Sequence, residues 1–262
     1  MSWAARRRFF VLLIVGAVVA AFVAVVSVAT FYETPSCTDG VSNQDEMGID
    51  CGGSCPFLCA GQKLSPTVLF TKAFTDESTG RTVVVASVEN KNAAAAAKSV
   101  PYRVILYGVD QTLIQTISGA FDLPPSATAT VFIPGIISGK QAIASAFFDL
   151  EPSSIRWFAM AIDPRIMPGV SNTIQSGSAD APRIEAILAN GNTTTLRDVS
   201  VVVLVRNAQK EIIAASGTIV PVIQAQSTAS AIFTWNSAFP DMPASIEVVP
   251  IIPLPDRQAG LP

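Results

Sequence analysis

Arg81 to Asn92 reads RTVVVASVENKN, and Ala181 to Asn192 reads APRIEAILANGN. Each is a short apolar run closed by Asn-x-Asn, with Asn90 and Asn92 falling on Asn190 and Asn192. A run of this length that ends on Asn reads as a strand entering a turn, the Asn side chain bonding nearby backbone. The likeness continues outward in the same order. SATATVFIP (126–134) matches STASAIFTW (227–235), and PSSIRWF (152–158) matches PASIEVV (243–249). Between them Val100, Tyr102, Val104 and Leu106 correspond to Val199, Val201, Val203 and Val205. Repetition kept in order predicts a duplicated domain.

The texture around these segments is short and β-rich. In the first copy strands are expected at Thr67–Phe74, Thr82–Glu89, Val100–Tyr107, Thr112–Ser118, Thr128–Ile133, Ala142–Phe148 and Ile155–Ala161. Spacings near ten residues with Gly, Pro, Asn and Asp between them are the mark of a sandwich or barrel. Ala93 to Ala97 is bracketed by Asn90, Asn92 and Pro101 and reads as a loop with room for one helical turn. The first copy carries extra residues, GIISGKQAIAS, before Phe147, and the boundary between copies falls in Asp163 to Gly169. Trp157 and Trp235 are expected to anchor the cores.

Val-Glu-Asn-Lys-Asn, then Tyr102 to Tyr107, a turn with Asp110, Leu113-Ile114 and an LPP turn resemble the FxLYD and late-embryogenesis-abundant-like sandwiches. The family's L-Y-D is L-Y-G here, and Leu204-Val205-Arg206 stands in its place in the second copy. The resemblance implies immunoglobulin-like or fibronectin III-like sandwiches with no catalytic residues to transfer.

Upstream lies FFVLLIVGAVVAAFVAVVSVATFY, Phe9 to Tyr32, without a charge. As a helix it reaches roughly 36 Å, enough to cross a hydrocarbon core of about 30 Å. Arg6, Arg7 and Arg8 precede it, so residues 1–8 are expected in the cytoplasm and everything after the helix outside the cell membrane, a single-pass signal anchor. The competing reading is a cleaved signal peptide ending at Ser27-Val28-Ala29; both export residues 33–262.

All four cysteines lie in CTDGVSNQDEMGIDCGGSCPFLC, residues 37–59, which has no apolar periodicity. An even number of exported cysteines favours two disulfides, Cys37, Cys51, Cys55 and Cys59 allowing three pairings. Gly40, Gly48, Gly52 and Gly53 are expected to supply positive φ values. Asp39, Asn43, Asp45, Glu46 and Asp50 crowd oxygen-bearing side chains of the kind a hard cation takes. The pattern C-x-D-G-x-x-N-x-D-E-x-G-x-D-C-G-G-x-C resembles a motif of bacterial cell-surface proteins and is similar to the calcium loops of thrombospondin type 3 repeats. That resemblance implies calcium as the ligand of these five residues. Solvated or turn-capping carboxylates are the alternative; structural zinc is disfavoured by the C-x3-C-x3-C spacing.

Composition excludes several functions. There is no His, so Ser-His-Asp and Cys-His catalysis are impossible. Seventeen Lys and Arg against 20 Asp and Glu, a net charge of -3 with no basic cluster outside the N-terminus, argue against nucleic acid. No small-molecule substrate is implied. The expected architecture is mainly β: residues 1–8 cytoplasmic, 9–32 spanning, 33–61 a Cys-rich module, 62–163 a first sandwich, 164–169 a linker, 170–253 a second sandwich and 254–262 a flexible tail. The expected role is a non-enzymatic, membrane-anchored envelope protein that binds other envelope or surface proteins. The rivals are a calcium-dependent assembly or sensor subunit and an exported enzyme.

Overall fold

The computed structural model describes residues 3–31, 37–43, 45–59, 61, 63–76, 78–137 and 143–255. The chain divides into two compact units, residues 1–55 and 56–262. The first holds α1 (Trp3–Phe31) and the loop module. Within α1, Arg6–Thr30 is long and apolar enough to cross a membrane, and none of it is buried. Its apolar residues lie all round the helix rather than on one stripe, which suits a helix surrounded on every side by apolar groups, such as a hydrocarbon layer. Tyr32, the expected end of the span, lies outside the described residues.

The second unit is mainly β, built from two copies of one sandwich. In the first copy β2 (Thr67–Asp76), β3 (Arg81–Asn90) and β6 (Ala127–Ile137) form one sheet in the order β2-β3-β6. Facing it, β4 (Ala95–Gly108) pairs with β5 (Leu113–Leu123), β7 (Ile143–Leu150) and β8 (Trp157–Ala159), and β8 pairs with β1 (Phe57–Leu58). The second copy repeats this. β9 (Gly169–Ser178), β10 (Ala181–Asn190) and β13 (Ser227–Thr234) face β11 (Leu196–Arg206), β12 (Ile212–Ile223) and β14 (Ser245–Ile251). All pairings are antiparallel. Alternate residues point inward, so Val84, Ala86, Val88, Val104, Leu106 and Trp157 fill the first core. Ile184, Leu188, Val201, Val203, Val205 and Phe233 fill the second, with Trp235 packed on them.

The duplication extends to backbone detail. Left-handed φ values recur at Ser99 and Asp198, at Gln111 and Lys210, and at Ser126 and Gln226, the strand register setting Ala127 against Ser227, one residue off the expected match of 126–134 with 227–235. Ser99 sits at a bulge where the central strand leaves register with its hairpin partner, whereas the register on either side of Asp198 is continuous. Asn90 Nδ2 donates to the carbonyls of Ala95 and Pro124, both at 2.8 Å, while its Oδ1 accepts from Asn92 N at 3.0 Å. Asn190 does the same work, donating to Thr194 O at 2.8 Å and Ile223 O at 3.1 Å and accepting from Asn192 N at 3.0 Å. Each Asn ties the crossover between sheets to the turn that follows the next hairpin.

Several expectations are corrected. Ala95, Ala96 and Ala97 are buried strand, the start of β4, because their small side chains let β8 lie close. PSSIRWF is not the counterpart of PASIEVV. β14 pairs with β11 (Val205 to Ile246) as β7 pairs with β4 (Leu106 to Ala146), while PSSIRWF is a 3-10 turn followed by β8. Within GIISGKQAIAS, Gly135 to Ile137 extend β6 and Ile143 to Ser145 open β7; residues 138–142, including Ala142, lie outside the described residues.

The module was expected to reach residue 61, yet Phe57 already belongs to the first sandwich. Its ring packs with Ala96, Phe158 and Leu254 and lies 4.9 Å beneath the Arg156 guanidinium. The expected flexible tail begins docked: Leu254 is 1% exposed and its N–H donates to Asp122 Oδ2 at 2.7 Å. Residues 256–262 lie outside the described residues.

The two sandwiches pack sheet on sheet. Phe70, Phe74, Val85 and Phe132, on the outer face of β2-β3-β6, meet Val202, Leu204, Ile212 and Ala215, on the outer face of β12-β11-β14. The Arg206 guanidinium lies over Phe70 at 5.9 Å, and Asn236 Nδ2 donates to Asp76 Oδ2 at 3.3 Å. The result is four sheets in layers, of which the inner two are covered on both faces.

Candidate disulfide module and metal centre

Residues 37–55 fold as a succession of turns around one antiparallel bridge, Gly48 to Cys51. Cys37 and Cys55 are bonded, and Cys51 and Cys59 are disulfide-bonded as well, so no free thiol exists. Gly40, Gly52 and Gly53 take left-handed φ as expected, but Gly48 does not; Asp50, at φ 55°, takes that conformation instead. Gly53 is required on space as well as φ, since a Cβ there would lie 2.1 Å from the Asp45 carbonyl oxygen.

The five candidate ligands divide among different partners. Asp39 Oδ1 accepts from Val41 N at 2.9 Å and its Oδ2 from Asn43 Nδ2 at 3.0 Å. Glu46 Oε2 accepts from Asn43 N at 3.2 Å. Asp50 accepts from Gly40 N at 3.2 Å, and Asp45 is bonded at both oxygens by the N–H and Oγ of Ser54, each at 2.9 Å. Asp39, Asn43 and Glu46 are therefore brought together by direct bonds, whereas Asp45 turns to Ser54 and Asp50 to Gly40. Among the described residues the one grouping of three Cys, Asp or Glu ligand atoms is Cys37, Glu46 and Cys55. Two of those are sulfurs already spent in a disulfide, which has no thiolate to offer a metal. Glu46 Oε1 lies 3.0 Å from Cys55 Sγ, a non-bonded contact because a disulfide sulfur carries no proton.

One atom in the loop has no such employment. Asn43 Oδ1 is buried without a hydrogen-bond partner. A buried carbonyl oxygen left in this way costs free energy, and a cation ligated by it is one remedy. The donor set of carboxylates and an amide oxygen fits a hard cation. Zinc finds no thiolate here.

A cleft of about 260 Å3 lined by Gly61, Lys63, Ser65, Pro66, Pro152, Ser153 and Trp157 contains a single titratable group. Asn192, within an Asn-Thr-Thr acceptor sequence, is held in the turn of Asn190, its side-chain amide directed to the Ile166 carbonyl. Sequence reasoning missed the solvent-facing apolar residues of the sandwiches, Tyr107 and Phe147 among them, which stand edge to face at 5.8 Å. Their signal was an apolar residue at the outward positions of an alternating strand.

No protein-family model matches the chain, and no curated protein matches it. Among solved structures it aligns with red sea bream transglutaminase at 10% identity and a TM-score of 0.25, over 72% of this chain and 30% of that one. At that score the alignment carries no argument about fold or activity.

Proposed function

We propose that this protein is a single-pass, membrane-anchored cell-envelope protein whose ectodomain is structural or adhesive and binds other surface proteins rather than turning over a substrate. The observation that carries the reading is Arg6–Thr30, a 25-residue helical span, none of it buried, that opens on three arginines and is otherwise uncharged. The arginines support a cytoplasmic N-terminus with the sandwiches outside. Two oxidised cysteine pairs agree with an exported module. The test is carbonate extraction of native membranes with external protease. Full-length protein that stays in the membrane and is cut outside the helix supports the anchor; a soluble form beginning near Thr30 establishes a cleaved signal.

A second reading, a calcium-dependent assembly or sensor subunit, is favoured by the orphan Asn43 Oδ1 beside Asp39. Asp39, Asn43 and Glu46 would hold the ion, with Asp45 and Asp50 joining once released from Ser54 and Gly40. Calorimetry on the full chain in detergent, Ca2+ against Mg2+, tests it. Absence of heat at millimolar Ca2+, or equal binding by an Asp39→Asn, Asp50→Asn variant, refutes it.

A further inference from the structure

The two sandwiches meet through unlike faces. The first copy offers its β2-β3-β6 sheet and the second its β12-β11-β14 sheet, which by the duplication are different sheets of the same domain. Such an interface is heterologous, so each chain retains one unused face of each kind. The first copy keeps the outer face of β5-β4-β7, equivalent to the one that docks in the second copy. The second keeps the outer face of β9-β10-β13, equivalent to the one that docks in the first. We infer that these two faces bind each other between molecules, so that a second copy of this chain adds head to tail by repeating the internal interface.

Strand register allows the contact to be transferred residue by residue. Val85 lies between Lys72 and Phe132 across its sheet, and its equivalent Glu185 lies between Ile174 and Ile232. Leu204 lies between Ala215 and Glu247, and its equivalent Ile105 lies between Thr116 and Phe147. Val202 lies beside Val249 as Arg103 lies beside Asp149. Inside the chain Val85 packs with Val202 and Leu204. Between chains the same placement sets Glu185 of one molecule against Arg103 and Ile105 of the next, an apolar contact replaced by opposite charges.

Both faces also expose apolar side chains around these charges: Phe147, beside Ile105, is 57% exposed, while Ile174, beside Glu185, is 59% exposed and Ile232 flanks Glu185 on the other side. The local pairs Arg103 to Asp149 at 2.7 Å and Arg183 to Glu185 at 3.3 Å are on the surface. Surface pairs of this kind contribute little to the monomer, so exchanging partners across an interface costs little.

The inference does not require the helix to be an anchor, and its failure leaves that reading untouched. The test is sedimentation velocity of the full chain in detergent micelles over a range of concentrations. Wild type should associate beyond a dimer without a fixed limit. Arg103→Glu and Glu185→Arg should each weaken association by roughly tenfold or more while keeping the β circular dichroism. An equimolar mixture of the two should associate again, because each altered face then meets an opposite charge on the other variant, and the Arg103→Glu, Glu185→Arg double variant should do the same. Monomeric wild type, a closed dimer, or association indifferent to both single changes, as contact through the helix or with another protein would give, overturns it.

Discussion

Asn90 and Asn190 show what one buried amide does twice in this fold. Each is about 1% exposed, and each satisfies backbone carbonyls from two separate turns while accepting an N–H two residues on. Replacement by Ala leaves those groups buried and unbonded, at a cost of about 2 to 4 kcal/mol per site. Urea denaturation of Asn90→Ala and Asn190→Ala should show it, whereas Asn43→Ala, in the exposed loop and lacking a partner at Oδ1, should cost far less. An Asn90→Ala variant as stable as wild type would deny the bonds their weight. At this scale the sequence was readable: Asn-x-Asn after an apolar run announced a turn, and its recurrence announced the copy. The acidic loop was not. Spacing displays which side chains carry oxygens, but whether Asp45 faces a cation or Ser54 depends on backbone N–H groups that the string of residues does not place.

At the scale of elements, the turns and the linker are held by carboxylates kept charged. Asp76, at the end of β2, is pulled down to about 2, chiefly by the Ser78 hydroxyl, with help from Thr79 and Asn236. Asp163 is lowered chiefly by its hydrogen bonds from Arg165, which also donates to the Ile252 carbonyl and so pins the last strand's exit to the linker. A depressed carboxyl contributes stability that is present above its unfolded value and lost as pH falls through the folded one. Urea midpoints should therefore drop between about pH 4 and pH 2. Asp76→Asn and Asp163→Asn should each flatten that drop while lowering the midpoint at neutral pH; an unchanged acid slope in both would exclude these groups as its source. Strand existence was legible from apolar runs and turn residues: most expected strands stand with ends extended by a few residues, while Ile155–Ala161 shrinks to Trp157–Ala159. Ala95 to Ala97 went unread because alanine favours helix locally and only burial against β8 makes it strand. The strand after PSSI was matched to β14, whose counterpart is β7, because a P-x-S-I segment resembles another whatever follows it.

For the whole molecule, the layering explains a difference between equivalent strands. β10 alternates buried and partly exposed residues, whereas β3, its equivalent, is buried almost continuously; β4 alternates, whereas β11 does not. A strand covered on one face needs apolar residues only at every second position, and one covered on both needs them throughout. VVVAS against RIEAI, and YRVIL against VVVLV, thus encode which sheets face inward, a signal the repeat itself obscures because it invites reading the copies as alike. The interface brings Gly217 of β12 against Phe132, where a Cβ would lie 2.5 Å from the ring. Gly217→Val should push the sandwiches apart without disturbing either core, since neither core cluster includes that position. Trp157 reports the first sandwich and Trp235 the second, so single-tryptophan variants lacking Trp3 can follow each in denaturant. In the parent protein the two fluorescence transitions should coincide, because the shared face couples the units. With Gly217→Val they should separate, the weaker sandwich unfolding first. Coincident transitions at an unshifted midpoint would mean that the close approach is accommodated and that the interface is looser than its packing implies.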